Sequence, residues 1–462
     1  MAQKNVYDMT SGNPTMLLLK FSIPMIIGNI FQQFYNMVDS IIVGQFVGPN
    51  ALAAVGATGA INFLFFSLAF GLSAGIGIIV SQYFGAKDEK KVKKAIATAI
   101  YVVLIASISM GILMTASARG VMQLLNTPSE IIDDSVLYMQ ITGCGMIAVG
   151  AYNGVAAILR ALGDSKTPLI FLIIACAINV VLDLLFVVSF GWGVLGVSLA
   201  TVIAQFGSAI GCVIYAWIKM PIFRMPRKDC VIDRDILKKC LYIGIPVGLQ
   251  NALIAVSCVA LQRVVNGFGA TIVAAFTVEN RFEQLVQQPF NSLGAAISTY
   301  TGQNMGARNI KRVKQGFIAG SKIAIIFSLI MLPIACFGGE AIMSLFTSDA
   351  QVIEQGAIGI RITSFFYSAL GMIYVTRNVL NGAGDVKFAM MSGCVEVICR
   401  VGLARPLTYI PGIGMLSIWF TTGLTWLLTA VVSCIRYADG KWKDKGIVSD
   451  ISMVDSIEVE IG

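Results

Sequence analysis

The chain has 462 residues, 56% of them hydrophobic and 13% charged, with a formal net charge of +8. A mean hydropathy of +0.80 excludes a soluble globular protein, because too little polar side chain remains to cover the core. With no histidine and ten cysteines that form no CxxC pair, zinc-type sites and secreted-type disulfide frameworks are also excluded, and the cysteines read as small core residues.

A membrane span takes roughly 17–25 apolar residues. Twelve stretches qualify, near 16–44, 51–81, 93–117, 134–159, 167–189, 194–218, 241–265, 271–302, 315–337, 352–379, 387–410 and 414–435. The first lacks a small-residue cleavage site and reads as a retained span, not a signal peptide. It carries Pro24, where the missing backbone donor predicts a hinge, and Asp39, roughly 8 Å below the outer end at about 1.5 Å per residue. In the fifth span Asp183 lies at a similar depth, roughly 10 Å, with Asn179 one helical turn inward on the same face. Thr201 in the sixth span is roughly 12 Å deep. Two carboxylates, an amide and a hydroxyl are thus expected to meet in the outer half of the first lobe.

Next comes a basic, proline-containing linker, MPIFRMPRKDCVIDRD. Beyond it the chain repeats itself. QYFGAKDEKKVKK at 82–94 returns as QNMGARNIKRVKQ at 303–315, and LRALGDSK at 159–166 as LNGAGDVK at 380–387, both displaced by 221 positions. The expected organisation is an N-terminal lobe at 1–219, a linker at 220–237, a C-terminal lobe at 238–440 and a solvated tail at 441–462 that turns acidic. Six spans per half return the chain to its starting side, so the lobes should be parallel repeats about a pseudo-two-fold axis along the membrane normal. The predicted fold class is an all-α polytopic membrane protein with twelve transmembrane helices in two six-helix lobes.

Lys and Arg sort with this count. Six alternate loops hold 24 of the 33, and the opposing loops hold only Arg119 and Arg405. Basic loops stay on the cytoplasmic side, so both termini are expected there, in a bacterial or archaeal-type plasma membrane. The same asymmetry accounts for the net charge, and no nucleic-acid patch is implied.

Charge at mid-membrane costs about 2.5–3.5 kcal/mol per group on insertion scales, so intramembrane charges are functional candidates. Oxygen ligands are what a hard cation needs in place of its water, and two carboxylates sharing one site cannot both stay ionised without a cation. The Asp39, Asn179, Asp183 and Thr201 set therefore suits H⁺, or Na⁺ as a metal site. In the second half the displacement carries Asn179 to Arg400 and Asp183 to Ala404, leaving no equivalent acid pair. Glu396 with Arg400 is expected to neutralise itself as an i,i+4 pair, and Arg281 is expected to do the same for Glu279 and Glu283. These five read as structural charge groups. The aromatic and methionine residues of INFLFFSLAF from Ile61, with Met139, Met146 and Met372, read as packing residues before a drug pocket.

Two six-span lobes, an acid-bearing first span preceded by a proline, and the repeated QxxGA and LxxxGDxK-like loops together resemble the multidrug and toxic compound extrusion (MATE) family over about residues 10–440. The resemblance implies secondary antiport, in which lipophilic, often cationic compounds leave while Na⁺ or H⁺ enters. It implies the branch that couples through N-terminal aspartates, with Asp39, Asn179, Asp183 and Thr201 at matching positions and Asn153 in YNGVAAILR as a fourth-span asparagine. The other branch uses a seventh-span glutamate and a tenth-span aspartate, both missing here. The expected partners are small lipophilic or cationic substrates and membrane lipid. No cofactor beyond the coupling ion is implied, and the chain is expected to be a monomer. The competing reading is a flippase for a lipid or lipid-linked sugar, whose phosphate would need Arg263, Arg281, Arg361 and Arg400. A channel or enzyme is disfavoured, since no nucleophile–base pair, metal-ligand cluster or repeated filter is present.

Overall fold

The structure, a computed structural model, describes residues 7–226 and 230–448. Among these no strand occurs. Helices α1 (Pro14–Ile42), α2 (Pro49–Gly85), α3 (Glu89–Leu124), α4 (Ile132–Cys144), α5 (Met146–Ala161), α6 (Lys166–Asp183) and α7 (Gly193–Lys219) form the first half. The second half comprises α8 (Arg234–Val265), α9 (Ala270–Gly306), α10 (Ile310–Ser344), α11 (Ala350–Ser364), α12 (Tyr367–Ala383), α13 (Val386–Ala404) and α14 (Ser417–Asp439). α4 and α5 meet at 45° and α11 and α12 at 51°, so each pair is one bent span and the fourteen helices make twelve rods, six per half. Eight of the rods are single helices long and apolar enough to cross a membrane, and the two bent pairs also qualify. The remaining rods, α9 and α13, carry Glu279 and Glu283 and Glu396 and Arg400.

The repeated loops are helix punctuation. Lys87 and Arg308, displaced by 221, both adopt left-handed backbone, at φ 60° and 55°. The next residue then caps the following helix: Asp88 accepts from the Lys91 N–H at 3.0 Å, and Asn309 from the Arg312 N–H at 3.1 Å. The second motif ends α5 and α12 on Gly163 and Gly384, with φ of 97° and 95°, where any β-carbon would be strained.

Two compact units result, and the first helix of each half passes from one unit to the other. Ile23–Gly248, with Tyr7 and Asp8, forms one unit; Met9–Ser22 and residues from Leu249 onward form the second. Within the second unit the segment just before α1 is tied down: the Met9 N–H donates to Gln303 Oε1 at 2.9 Å, and Asn304 Nδ2 donates to the Met9 carbonyl at 3.0 Å. Arg312 donates to the same carbonyl and to that of Gly12, both at 3.1 Å. Within the first unit, the early part of α8 lies against α2 through glycines. A β-carbon on Gly71 would stand 2.2 Å from the Gly248 nitrogen, so the two backbones touch. Later in α8, buried Gln250 donates to the Ala389 carbonyl of α13 at 2.7 Å, within the second unit. Pro24 and Pro246 lie inside continuous α1 and α8, each within a few residues of the crossing between units.

The linker, and part of the tail that was expected to be solvated, are docked. The linker runs along α3, where the Tyr101 hydroxyl donates to the Cys230 carbonyl at 2.9 Å and the Asp233 N–H donates to Thr98 Oγ1 at 3.1 Å. α8 begins at Arg234, earlier than the boundary at 237, because Asp233 accepts from the Asp235 and Ile236 N–H groups at 3.0 and 3.1 Å. At the C-terminus, Trp442 is buried, stacks on Tyr437 at 5.4 Å and donates to its carbonyl at 3.0 Å. The solvated-tail reading is thus corrected for residues 441–448, and the acidic stretch at 449–462 lies outside the described residues. Met139 and Met146 pack with Met114, Met122, Phe65 and Phe66 in the first unit's core, as packing residues.

Candidate cation-coupling site

Both acid-bearing helices of the first unit end in a π-helical turn, Val43–Val47 after α1 and Leu184–Ser189 after α6. Each is closed by a backbone bond over five residues: the Gly48 N–H donates to the Val43 carbonyl at 3.1 Å, and the Phe190 N–H to that of Leu185 at 3.0 Å. The extra residue in such a turn rotates the side chains around it and is a recurring device at functional sites. The two turns pack on each other. Asp183 is the last residue before its turn, and Asp39 is one helical turn before its own.

Beyond these carboxyls Ile42, Val43, Ala51, Val187, Val194 and Val197 form a buried apolar cluster, so the acids face a dry layer along their helices. Asp183 is fully buried and Asp39 half-buried, and the two carboxyls lie within hydrogen-bonding reach of each other. One oxygen on each, Oδ1, has no partner. Asn179 sits beside them. With its nitrogen toward the acid, Nδ2 donates to Asp183 Oδ2 at 3.1 Å while Oδ1 accepts from the Thr201 N–H at 3.2 Å. That orientation is favoured over the reverse, in which Nδ2 faces Thr201 Oγ1 at 3.5 Å, because it satisfies both ends of the amide.

Four of the expected residues, Asp39, Asn179, Asp183 and Thr201, therefore stand together. Asn153 spends its amide on the Val149 carbonyl of its own helix at 2.8 Å. Two residues that sequence reasoning missed flank the pair: Tyr35 on α1 and Tyr138 on α4 lie within Coulombic range of both aspartates. Tyr35 is four residues before Asp39, a helical signal that was available in the sequence, whereas Tyr138 comes from a helix with no sequence link to the acids. No basic side chain is bonded to either aspartate among the described residues. Two adjoining acids with an amide and a hydroxyl beside them and no basic partner among the described residues can hold protons or, with the amide turned, one small cation.

The charge groups of the second unit pair differently from expectation. Glu396 is bound to Arg377 of α12, not to Arg400, because Arg377 and Ser392 close on the same buried face of α13, with Arg377 Nε donating to Ser392 Oγ at 3.1 Å. Arg400 reaches α8 instead, donating to Ser257 Oγ at 2.7 Å and Cys258 Sγ at 3.0 Å. Arg281 is exposed and does not neutralise Glu279 or Glu283, both buried. Glutamates four apart share one face of α9, and a residue midway between them points away.

Six-rod repeats, the exchanged first helices and a buried acid pair without a base define a duplicated integral membrane protein of the transporter class. The chain belongs to the MatE family, whose model matches residues 24–185 and 246–410, once in each half. It is 30% identical over 447 residues to the probable multidrug resistance protein YpnP of Bacillus subtilis, covering 95% of this chain and 98% of that one. It is 24% identical to an FAD transporter of Shewanella oneidensis, over 89% and 92% of the two chains. In fold it resembles an outward-facing multidrug resistance MATE family transporter of the MOP superfamily, with a TM-score of 0.89 at 23% identity over 96% of this chain and 99% of that one.

Proposed function

We propose that this protein is a secondary active antiporter that exports lipophilic, often cationic compounds in exchange for H⁺ or Na⁺, with the ion held at Asp39 and Asp183. The observation that carries this reading is the paired, buried carboxyls of the first unit with an unpartnered oxygen on each and no basic neighbour. An unpaired double negative charge at that depth is retained only if a cation or protons accompany it, so the occupied and empty states differ in free energy. That difference is what couples ion movement to conformation. Asn179, itself held by the Thr201 N–H, orients Asp183 in the proton-coupled form; in the Na⁺ form the amide turns to present its oxygen, and Thr201 Oγ1 supplies another. α1 carries Asp39 to the apolar cluster at one end and Pro24 to the crossing between units at the other, which makes Pro24 the hinge through which loading is felt. The multidrug resistance name of the Bacillus subtilis relative supports the substrate class. The membrane is the plasma membrane of a bacterium or archaeon, with both termini cytoplasmic, and one chain is the transporting unit.

The FAD transporter among the relatives raises an anionic cargo, and a lipid flippase would share its need for basic contacts. Of the four arginines available, Arg361 is paired with Glu340 at 3.1 Å and Arg400 is engaged with Ser257 and Cys258. This favours the cationic class. The test is ethidium efflux from proteoliposomes with a Na⁺ gradient and a pH gradient imposed separately. Efflux under either gradient supports antiport and identifies the ion, and efflux of neither ethidium nor another lipophilic cation under both contradicts it.

A further inference from the structure

The second unit holds an acid pair of its own, unrelated by the repeat to the first. Glu279 and Glu283, one turn apart on α9, are 1% and 5% exposed, and their carboxyls lie within hydrogen-bonding reach of each other. Around them converge Thr363 from α11, Tyr367 from α12, Trp419 from α14 and Arg400 from α13. Thr363 Oγ1 stands 3.4 Å from Glu279 Oε1. Its single hydrogen is contested by the Gly359 carbonyl at 3.2 Å and the Ile360 carbonyl at 3.4 Å, so it gives Glu279 at most a weak bond. Three fully or nearly fully buried polar atoms make no hydrogen bond of good geometry: Glu283 Oε1, the Tyr367 hydroxyl and Trp419 Nε1. Trp419 lies beside Glu279, and Tyr367 is within Coulombic range of both glutamates.

The charges do not balance as they stand. Arg400 is the basic side chain facing the pair, within Coulombic range of Glu283, and Arg377 is already taken by Glu396. Two carboxylates against one guanidinium leave one negative charge in a buried cluster, and an uncompensated buried charge is strongly destabilising. We propose that Glu279 and Glu283, with Thr363, Tyr367 and Trp419, form a second cation site that binds one positive charge, a proton or a single Na⁺. The site is independent of the coupling acids: it lies on helices of the other unit, and the repeat places no acid there by inheritance, since Glu279 and Glu283 displaced by 221 correspond to Thr58 and Asn62. Those residues bond to each other along α2, with Asn62 Nδ2 at 3.4 Å from Thr58 Oγ1, so the first unit keeps a neutral version of the same face.

The test uses the full chain carrying Asp39→Asn and Asp183→Asn, which silences the first unit's acids whatever their role. Infrared spectra of this protein, with glutamate carrying a ¹³C-labelled carboxyl, are expected to show one protonated glutamic acid per chain near neutral pH without Na⁺. Persistence of that signal in Na⁺ makes the site a proton site. Its loss on adding Na⁺, with one ²²Na⁺ bound per chain, makes it a Na⁺ site. Adding Glu283→Gln should abolish Na⁺ binding if present; the isotope label assigns the signal without that substitution should the variant not fold. Absence of both a protonated glutamate and bound Na⁺ overturns the proposal.

Discussion

At the scale of single residues, the account turns on which buried charges have partners. Glu396 and Arg377 are both nearly buried and bound to each other, so removing one leaves the other alone in a low-dielectric interior. Glu396→Gln is therefore expected to destabilise the protein by about 3–5 kcal/mol, read as a fall in thermal stability in detergent. Arg400→Lys, which cannot keep both of its contacts to α8, should fall well short of that. Asn179 offers the contrasting case. Its amide donates to Asp183 Oδ2, and a bond to a charged group is worth about 1.5–3 kcal/mol, so Asn179→Leu should shift apparent ion affinity roughly tenfold or more, upward for protons because the carboxylate loses a donor, while leaving the chain folded. An unchanged ion concentration for half-maximal efflux would remove Asn179 from the site. The residues of the first acid site were legible because intramembrane acids are few and depth is read by counting along a helix. Tyr138 was not, since which side chain a neighbouring helix presents depends on packing. The pairing of Glu396 and Arg400 was misread for a related reason: i,i+4 spacing permits a contact, and here Arg377 from another helix competes for the same carboxylate.

At the scale of elements, caps and crossings set the helix boundaries. Asp233 opens α8, and its carboxyl is held below the usual carboxylate range: burial pushes it up, but the Ile236 N–H, the Lys94 ammonium at 3.4 Å and the Asp235 N–H outweigh that. Because its folded value is depressed, its stabilisation is present above an unfolded value of about 3.9 and is lost as pH falls through the folded value. Asp233→Ala should cost about 1 kcal/mol at neutral pH, and the gap to the parent chain should close in acid. A gap that widens in acid would contradict the cap. Where α2 meets α8, Gly71→Ala would drive a β-carbon into the Gly248 backbone, which cannot yield as a side chain can. A loss of about 3 kcal/mol is expected, the upper end for overpacking, whereas Gly56→Ala, with nothing within 4 Å of the new carbon, should be neutral or stabilising. Equal melting temperatures for the two variants would refute the crossing. The helices themselves were visible as apolar stretches. Their breaks at 45° and 51° were not, because α4 to α5 and α11 to α12 read as continuous apolar runs without a proline at the bend.

At the scale of the whole molecule, the duplication explains both the shared fold and the divided chemistry. Left-handed residues recur at the same displacement, Lys87 with Arg308 and Gly163 with Gly384, so backbone punctuation has been kept where side-chain chemistry has not. That is why repeated loop motifs could be read directly as architecture. The exchange of first helices between units was invisible, because it depends on which neighbour a helix packs against and not on its composition. The acid pairs show the divergence most clearly: Asp39 and Asp183 come from two helices of one unit, and Glu279 and Glu283 from a single helix of the other. Among the described residues only the first lacks a basic neighbour, which is why the proposed coupling role falls to it. The most direct test compares gradient-driven ethidium efflux from proteoliposomes holding equal amounts of the parent chain, Asp39→Asn and Asp183→Asn. The expected result is efflux by the parent chain and none above protein-free liposomes by either variant, with all three equally folded. Unimpaired efflux by both variants would contradict the assignment of ion coupling to this pair.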